Sequence, residues 1–338
     1  MTNQTILNLA AWAARSLPEW AKRGIYRIGP LARLVRGELN RAAPTGLGSV
    51  TIAAGEAQGL QMMLDLQTEK DYWLGTYEPE LQAALRELIQ PGMVAYDVGA
   101  NIGYISLIMA RLVGPQGRVF AFEALPANLE RLRNNLQLNG AFEEALTPTH
   151  SQWQRGWQDD GSNSTTEKTT SPGVTLSLSQ GEREFLKDGS GLKNRLGKAT
   201  LVRAAVVDKF GPVDFLVGPS GGMGKAQGSA GRQDVSYNEK LTVTGISLDE
   251  FVFKDGNPAP QVVKMDIEGG EVLALPGMAR LLKEAHPLIL MELHGPQAAQ
   301  AAWTILRDAG YRVCQMEAGY PAIPKLEVLD WKAYLVGL

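Results

Sequence analysis

From Met93 onward short apolar runs alternate with amphipathic helical stretches, and this alternation restricts the fold more than any other feature of the chain. Met93–Asp97 (MVAYD) and Arg118–Glu123 (RVFAFE) read as strands. The first precedes a helix at Tyr104–Leu112, the second one at Pro126–Asn139, with Leu129, Leu132 and Leu136 at helical spacing. Further strand candidates are Leu201–Val207, Val213–Val217, Leu241–Ile246, Gln261–Ile267, Leu288–Leu293, Tyr311–Met316 and Tyr334–Leu338, with helices at Glu271–Ala285 and Pro296–Ala309. The pattern predicts an α/β fold, an open, mostly parallel sheet covered by helices on both faces. In such sheets ligands lie outside the carboxyl ends of the strands, so chemistry is expected in the loops after Asp97, Glu123, Ile267 and Leu293.

Composition narrows the classes. The 338 residues carry a formal net charge of -3, one cysteine (Cys314) and three histidines (His150, His286 and His294). Near-neutral charge argues against a nucleic-acid binder. A lone cysteine rules out an internal disulfide framework and a cysteine zinc cluster. No apolar run approaches the length of a membrane span, and a cytoplasmic protein is expected.

Two segments stand apart. Residues 1–41 hold seven Lys and Arg against two Glu, interspersed with Trp12, Trp20 and several aliphatic residues. Pro18 and Pro30 should divide residues 1–45 into short basic helices. Such helices can pack on the rest of the protein or touch an anionic membrane surface. Residues 46–92 read as a hairpin and helix leading into a domain at 93–338. That domain is interrupted at about 142–198, where Thr147–Gly173 has ten Ser or Thr among 27 residues and only Trp153 and Trp157 as large apolar side chains. Such a composition favours a loosely held insertion, and the two tryptophans give it an alternative reading as a lid. Gly218–Gly231 reads as a flexible glycine-rich loop.

The loop after the first strand carries the strongest chemical signal. Asp97-Val-Gly99-Ala-Asn101-Ile-Gly103 follows a strand and opens a helix. Its glycines permit close backbone approach, and the helix start presents free N–H groups. The spacing is not the dinucleotide fingerprint G-x-G-x-x-G. Asp97 would repel a pyrophosphate and attract the ammonium and sulfonium of S-adenosylmethionine. Glu123, 26 positions later at the next strand end, can accept hydrogen bonds from both hydroxyls of a ribose. On this reading Asp97→Ala abolishes cofactor binding and leaves the fold intact.

DVGANIGY, followed by GRVFAFEALPANLERLRNNLQLNG, resembles the FkbM-type methyltransferases, a branch of the class I S-adenosylmethionine-dependent enzymes. ISLDEF at Ile246–Phe251, VVKMDIEGGEVLALPGM at Val262–Met278, LILMELHG at Leu288–Gly295 and the lead-in at Asp71–Leu85 are similar to the same family. Two features depart from it. Ala124 stands where the family usually has proline, and the link beyond Asn139 is long. The resemblance implies a Rossmann-like class I methyltransferase fold with an N-terminal helical and hairpin extension. It assigns Asp97, Gly99, Asn101 and Gly103 to the methionine part of S-adenosyl-L-methionine and Glu123 to its ribose. Ala204 and Ala205 would lie by the adenine, and Tyr77 and Glu78 over the cofactor. Asp266 would face the methyl group, with His294 and Glu268 beside it, and Asp266 and His294 are the candidates for orienting the acceptor and removing its proton. Glu271 reads as a helix N-terminal acid, Glu292 as a partner for Lys264, and His286 as structural. No metal is assigned. The expected reaction is O-methylation of a hydroxyl on a sugar, polysaccharide or natural product, without a nucleic-acid partner. A nicotinamide oxidoreductase and a non-catalytic scaffold at a membrane are the alternatives; oligomeric state and acceptor are not fixed by sequence.

Overall fold

The computed structural model describes residues 3–17, 29–144, 195–218, 223–231, 236–237, 239–328 and 334–338. The chain divides into two compact units, Met1–Ala83 with 164–194, and Ala84–Asn163 with Arg195–Leu338. His150, Trp153 and Trp157, with nearly all of the Ser/Thr-rich segment, lie outside the described residues.

In the first unit, helices α1 (Asn3–Ser16) and α2 (Gly29–Ala42) precede an antiparallel hairpin of β1 (Leu47–Thr51) and β2 (Gln61–Asp65). Pro30 stands in the first turn of α2, where its missing N–H costs no helical hydrogen bond. Ile52, Leu60, Met62, Leu64, Leu66 and Trp73 are almost wholly buried. A short helix, α3 (Lys70–Leu74), ends at Gly75, whose φ of 70° closes the turn in the left-handed region. Helix α4 (Pro79–Leu88) follows and contains the division between Ala83 and Ala84.

The second unit is built on an eight-stranded sheet. Its strands are β3 (Val94–Val98), β4 (Arg118–Glu123), β5 (Phe142–Glu143), β6 (Lys198–Arg203), β11 (Val262–Met265), β12 (Leu288–Glu292), β13 (Val313–Gln315) and β14 (Tyr334–Gly337), in the order β13-β14-β12-β11-β3-β4-β6-β5. Neighbouring strands from β12 through β5 run parallel, and β14 runs antiparallel to both β12 and β13. This is the doubly wound Rossmann-like arrangement of class I methyltransferases. Phe142–Glu143 and Lys198 belong to this sheet, so the residues at both ends of the anticipated insertion are strand.

The first two strands are rich in β-branched and aromatic residues, which suit a sheet buried on both faces. Helix α5 (Tyr104–Val113) buries eight of its ten residues. Helix α6 (Pro126–Leu138) starts at a proline and buries Leu129, Leu132 and Leu136. Tyr96, Phe120, Phe122 and Phe251 form a ring cluster with centroids 5.2 to 5.7 Å apart.

Three sequence expectations change. Val213–Val217 and Leu241–Ile246 do not join the main sheet. They lie in β8 (Gly211–Val217) and β10 (Glu239–Ile246), antiparallel partners in a four-stranded sheet ordered β7-β10-β8-β9, with β7 at Ala205–Val206 and β9 at Gly224–Ala226. Strand β9 falls inside the stretch expected to be loop. Glu271–Ala285 is not one helix: Pro276 lacks the N–H that a continuous ladder needs. The chain forms α7 (Glu271–Ala274), a 3₁₀ turn at Leu275–Met278 and α8 (Ala279–Glu284).

Candidate active site

The parallel strands end on one edge of the sheet: there Asp97 is the next-to-last residue of β3 and Glu123 the last of β4, while Asp266 directly follows β11 and His294 lies two residues past β12. The loop from Gly99 to Gly103 is held by the protein on several sides. The N–H groups of Gly99 and Ala100 both donate to the Phe122 carbonyl, at 3.0 and 2.9 Å. The Asn101 N–H donates to Glu123 Oε2 at 2.8 Å, and the Asn135 amide of α6 donates to the Ile102 carbonyl at 2.8 Å. Gly99, Asn101 and Gly103 have φ of 80°, 49° and 90°. A Cβ at Gly99 would lie 1.9 Å from the Asp266 carbonyl oxygen, and one at Gly103 would lie 2.5 Å from Leu132 Cδ1. Both glycines therefore make room for the protein's own packing, whereas the sequence alone pointed to room for a ligand.

Asp97 is fully buried. Ser106, near the start of α5, donates to its Oδ2 at 2.6 Å, and the ammonium of Lys264 lies 3.3 Å from its Oδ1. Its charge is thus compensated inside the protein, and any pull on a cationic ligand acts from beneath the loop.

Glu123 is 7% exposed. Burial pushes its carboxyl up, and hydrogen bonds from the N–H groups of Leu125, Asn101 and Ala124, together with the Lys264 charge, oppose this. The donor at Ala124, 3.0 Å from Oε1, is one that the family's usual proline could not supply. A carboxylate offers about four acceptor positions, so three backbone donors leave it capacity for a ribose hydroxyl. That remaining acceptor capacity, on a buried acid bonded to the loop through Asn101, fits a ribose hydroxyl of S-adenosylmethionine.

Ala204 lies beside Glu123, its N–H 3.1 Å from the Glu123 carbonyl. Its methyl and that of Ala205 are buried in two separate hydrophobic clusters, so contact with an adenine would come through backbone. Tyr77 and Glu78 belong to the first unit. There Tyr77 packs on Tyr72 with ring centroids 4.4 Å apart, and Glu78 has φ of 43°.

At the other end of the site, four carboxylates surround His294. Its Nδ1 lies 3.3 Å from Glu271 Oε1, while Nε2 lies 3.6 Å from Asp266, 3.8 Å from Glu268 and 3.8 Å from Glu292. Glu271 is fully buried, and it does more than complement a helix dipole: it orients the imidazole and also accepts from the Ile267 N–H. Lys264 lies against Asp97 and Asp266, and Glu292 against His294. Burial favours the neutral imidazole, but Glu271, Asp266 and Glu292 together outweigh it and push its pKa up to about 9. The surrounding carboxylates thus favour the protonated imidazole, which disfavours His294 as the proton acceptor expected from the sequence. His286 stacks on Tyr311 with centroids 4.0 Å apart, a structural contact. Asp266, Glu292 and His294 offer ligand atoms within 4.8 Å of one another, a set able to take a divalent ion once the imidazole is neutral.

The raised His294 pKa has a consequence for stability. The stabilisation it contributes is complete below the ordinary histidine value of 6.5 and is lost as pH rises through about 9. Denaturant unfolding should show the free energy falling by about 3 kcal/mol across that window, and Glu271→Gln should flatten the dependence.

Residues 97–313 match the family model for the methyltransferase FkbM domain, close to two thirds of the chain. The chain belongs to the FkbM methyltransferase family. Its cofactor is accordingly S-adenosylmethionine, and the nicotinamide alternative falls. Among related proteins, the hexuronic acid methyltransferase AglP of Haloferax volcanii is 24% identical over 75% of this chain and 79% of its own length. A protein-L-isoaspartate O-methyltransferase of Aeropyrum pernix is 49% identical over 51 residues, 15% of this chain. This chain spans only a fifth of that enzyme's length, and 34% of the wheat (Triticum aestivum) enzyme of the same name. A solved FkbM methyltransferase from Methylobacillus flagellatus superposes with a TM-score of 0.38 at 16% identity, covering 81% of this chain and 54% of that one.

Sequence reasoning missed Ser106, Asn135 and the orienting role of Glu271. Ser106 meets Asp97 on β3 nine residues back, Asn135 the Ile102 carbonyl 33 back and Glu271 the His294 ring 23 residues on, contacts that no local pattern announces.

Proposed function

We propose that this FkbM methyltransferase transfers the methyl group of S-adenosylmethionine to a hydroxyl of a sugar-containing acceptor. The observation that carries this reading is the group of carboxylates, Asp266, Glu268 and Glu292, around the His294 imidazole, one strand end away from the cofactor loop. Carboxylates are acceptors that match the hydroxyls of a sugar. When bound, the cofactor supplies an electrophilic methyl group. The chain's own task is to hold the acceptor oxygen in line with it, worth up to about 7–11 kcal/mol, and to take the hydroxyl proton. Asp266 is the residue we assign to accept that proton, with His294 holding its carboxylate in place.

The name of AglP directs the choice of acceptor toward uronic acids. Lys225 on β9 bears on that choice: its Nζ lies 5.0 Å above the Tyr237 ring, and although burial lowers its pKa, the charge of Glu268 at the acceptor end opposes this and favours the ammonium. Incubation with methyl-labelled S-adenosylmethionine and a panel of glycans, uronic acids first, tests the reading. Label in an ether-linked methyl is the expected result, and a protein that binds S-adenosylhomocysteine but labels no hydroxyl would defeat it. Asp266→Asn should lower kcat by about 10²- to 10⁴-fold with S-adenosylhomocysteine affinity nearly unchanged.

A second reading concerns location, at the cytoplasmic face of a membrane. Leu9 and Trp12, 53% and 54% exposed, lie three residues apart on one face of α1, in a segment of strongly positive charge. The full chain should co-sediment with vesicles containing anionic lipid, and Leu9→Ser/Trp12→Ser should release it.

A further inference from the structure

Lys264 occupies the middle of the main sheet, on β11, in register with Asp97 of β3 and Leu290 of β12. All four residues of that strand are buried, and the Lys264 side chain is 4% exposed. An aliphatic residue would fill this position without the desolvation cost of a charge. The ammonium donates to the Gly99 carbonyl at 3.0 Å and lies 3.3 Å from Asp97 Oδ1 and 3.8 Å from Asp266 Oδ2. These groups belong to three parts of the site: the strand beneath the cofactor loop, the first residue of that loop, and the acid at the acceptor end. Neutralising Asp97 would require only the second of the three contacts.

The hydrogen bond to Gly99 is the informative one. With its N–H on the Phe122 carbonyl and its own carbonyl on Lys264, Gly99 is held on both sides, and Ala100 is tied to the same Phe122 oxygen. Gly99 also rests against the Asp266 backbone, where no Cβ fits. We propose that Lys264 is the positioning residue that couples the two halves of the site, one ammonium holding the Gly99 carbonyl of the cofactor loop and the Asp266 carboxylate at a fixed separation. The inference rests on reading Gly99–Gly103 as the cofactor loop and Asp266 as the acceptor acid. It explains why a lysine is placed in the sheet interior, and it predicts that the loop loosens when the ammonium is removed even if Asp97 no longer needs a counter-charge.

The test therefore compares Asp97→Asn with Asp97→Asn/Lys264→Met, both free of the Asp97 carboxylate; Glu123 loses the Lys264 charge in the double variant but keeps its three backbone donors. Hydrogen exchange of the amides from Gly99 to Gly103 is measured in the free protein, and S-adenosylhomocysteine affinity by calorimetry. In the double variant, exchange of the loop amides should be at least tenfold faster than in Asp97→Asn, with core strands unchanged, and affinity at least tenfold weaker. Equal loop exchange in the two proteins would overturn the proposal and reduce Lys264 to a charge balance. If Asp97→Asn itself binds too weakly to titrate, the exchange comparison decides. If the double variant gives no cooperative melt, Asp97→Asn/Lys264→Gln is judged by the same comparison. Failure of the wild-type protein to bind S-adenosylhomocysteine would count against the cofactor assignment, whatever the loop does.

Discussion

Asp97→Ala is expected to lower the unfolding free energy by about 3–5 kcal/mol and to remove measurable binding of S-adenosylmethionine. The second effect follows from the sequence; the first reverses the expectation that the fold would be untouched. Removing the carboxylate leaves the Lys264 ammonium in a fully buried strand with its nearest counter-charge gone, and it leaves the Ser106 hydroxyl without its acceptor. Breaking one side of a buried pair costs more than the pair contributes, because the remaining charge cannot reach water. Urea unfolding and calorimetry on the same preparation check both effects. An alanine variant as stable as wild type would show that Lys264 relaxes to Asp266 or to solvent.

Gly99→Ala is expected to have the second largest effect, a loss of about 2–5 kcal/mol, combining left-handed strain with a collision. The added methyl would sit 1.9 Å from the Asp266 carbonyl oxygen at a φ of 80°. The obstacle is backbone, so no rotamer change relieves it, and the loop or the end of β11 must move. Because that movement separates the cofactor loop from the acceptor acid, S-adenosylhomocysteine affinity should drop at least tenfold even at temperatures where the variant is folded. Gly92→Ala, at a left-handed position where no atom lies within 4 Å of the new Cβ, is the matched control for strain alone. Similar losses in both variants would mean that the contact with Asp266 has no special weight.

Much of this architecture is legible in the chain itself. The periodicity of the segments around Asp97, Glu123, Asp266 and His294 places all four at the ends of strands, and in a parallel sheet strand ends share one edge. The family resemblance adds the cofactor. Two elements misled for a physical reason. Val213–Val217 and Leu241–Ile246 have strand composition, but composition does not say which sheet a strand joins; that depends on pairing β8 with β10 in antiparallel register. The run from Glu271 is helical in pattern, yet Pro276 breaks its hydrogen-bond ladder.

The residue types of the site, and the strand ends that carry them, were determined by the sequence, because side-chain periodicity and turn chemistry are local properties. What each charge does was decided only by the tertiary structure. Asp97 meets Lys264 across 167 residues of chain, and His294 meets Glu271 across 23. Those distances set whether an acid is compensated or open and whether an imidazole is a base or a cation. Electrostatic interaction depends on separation in space and on burial, and neither can be read from order along the chain.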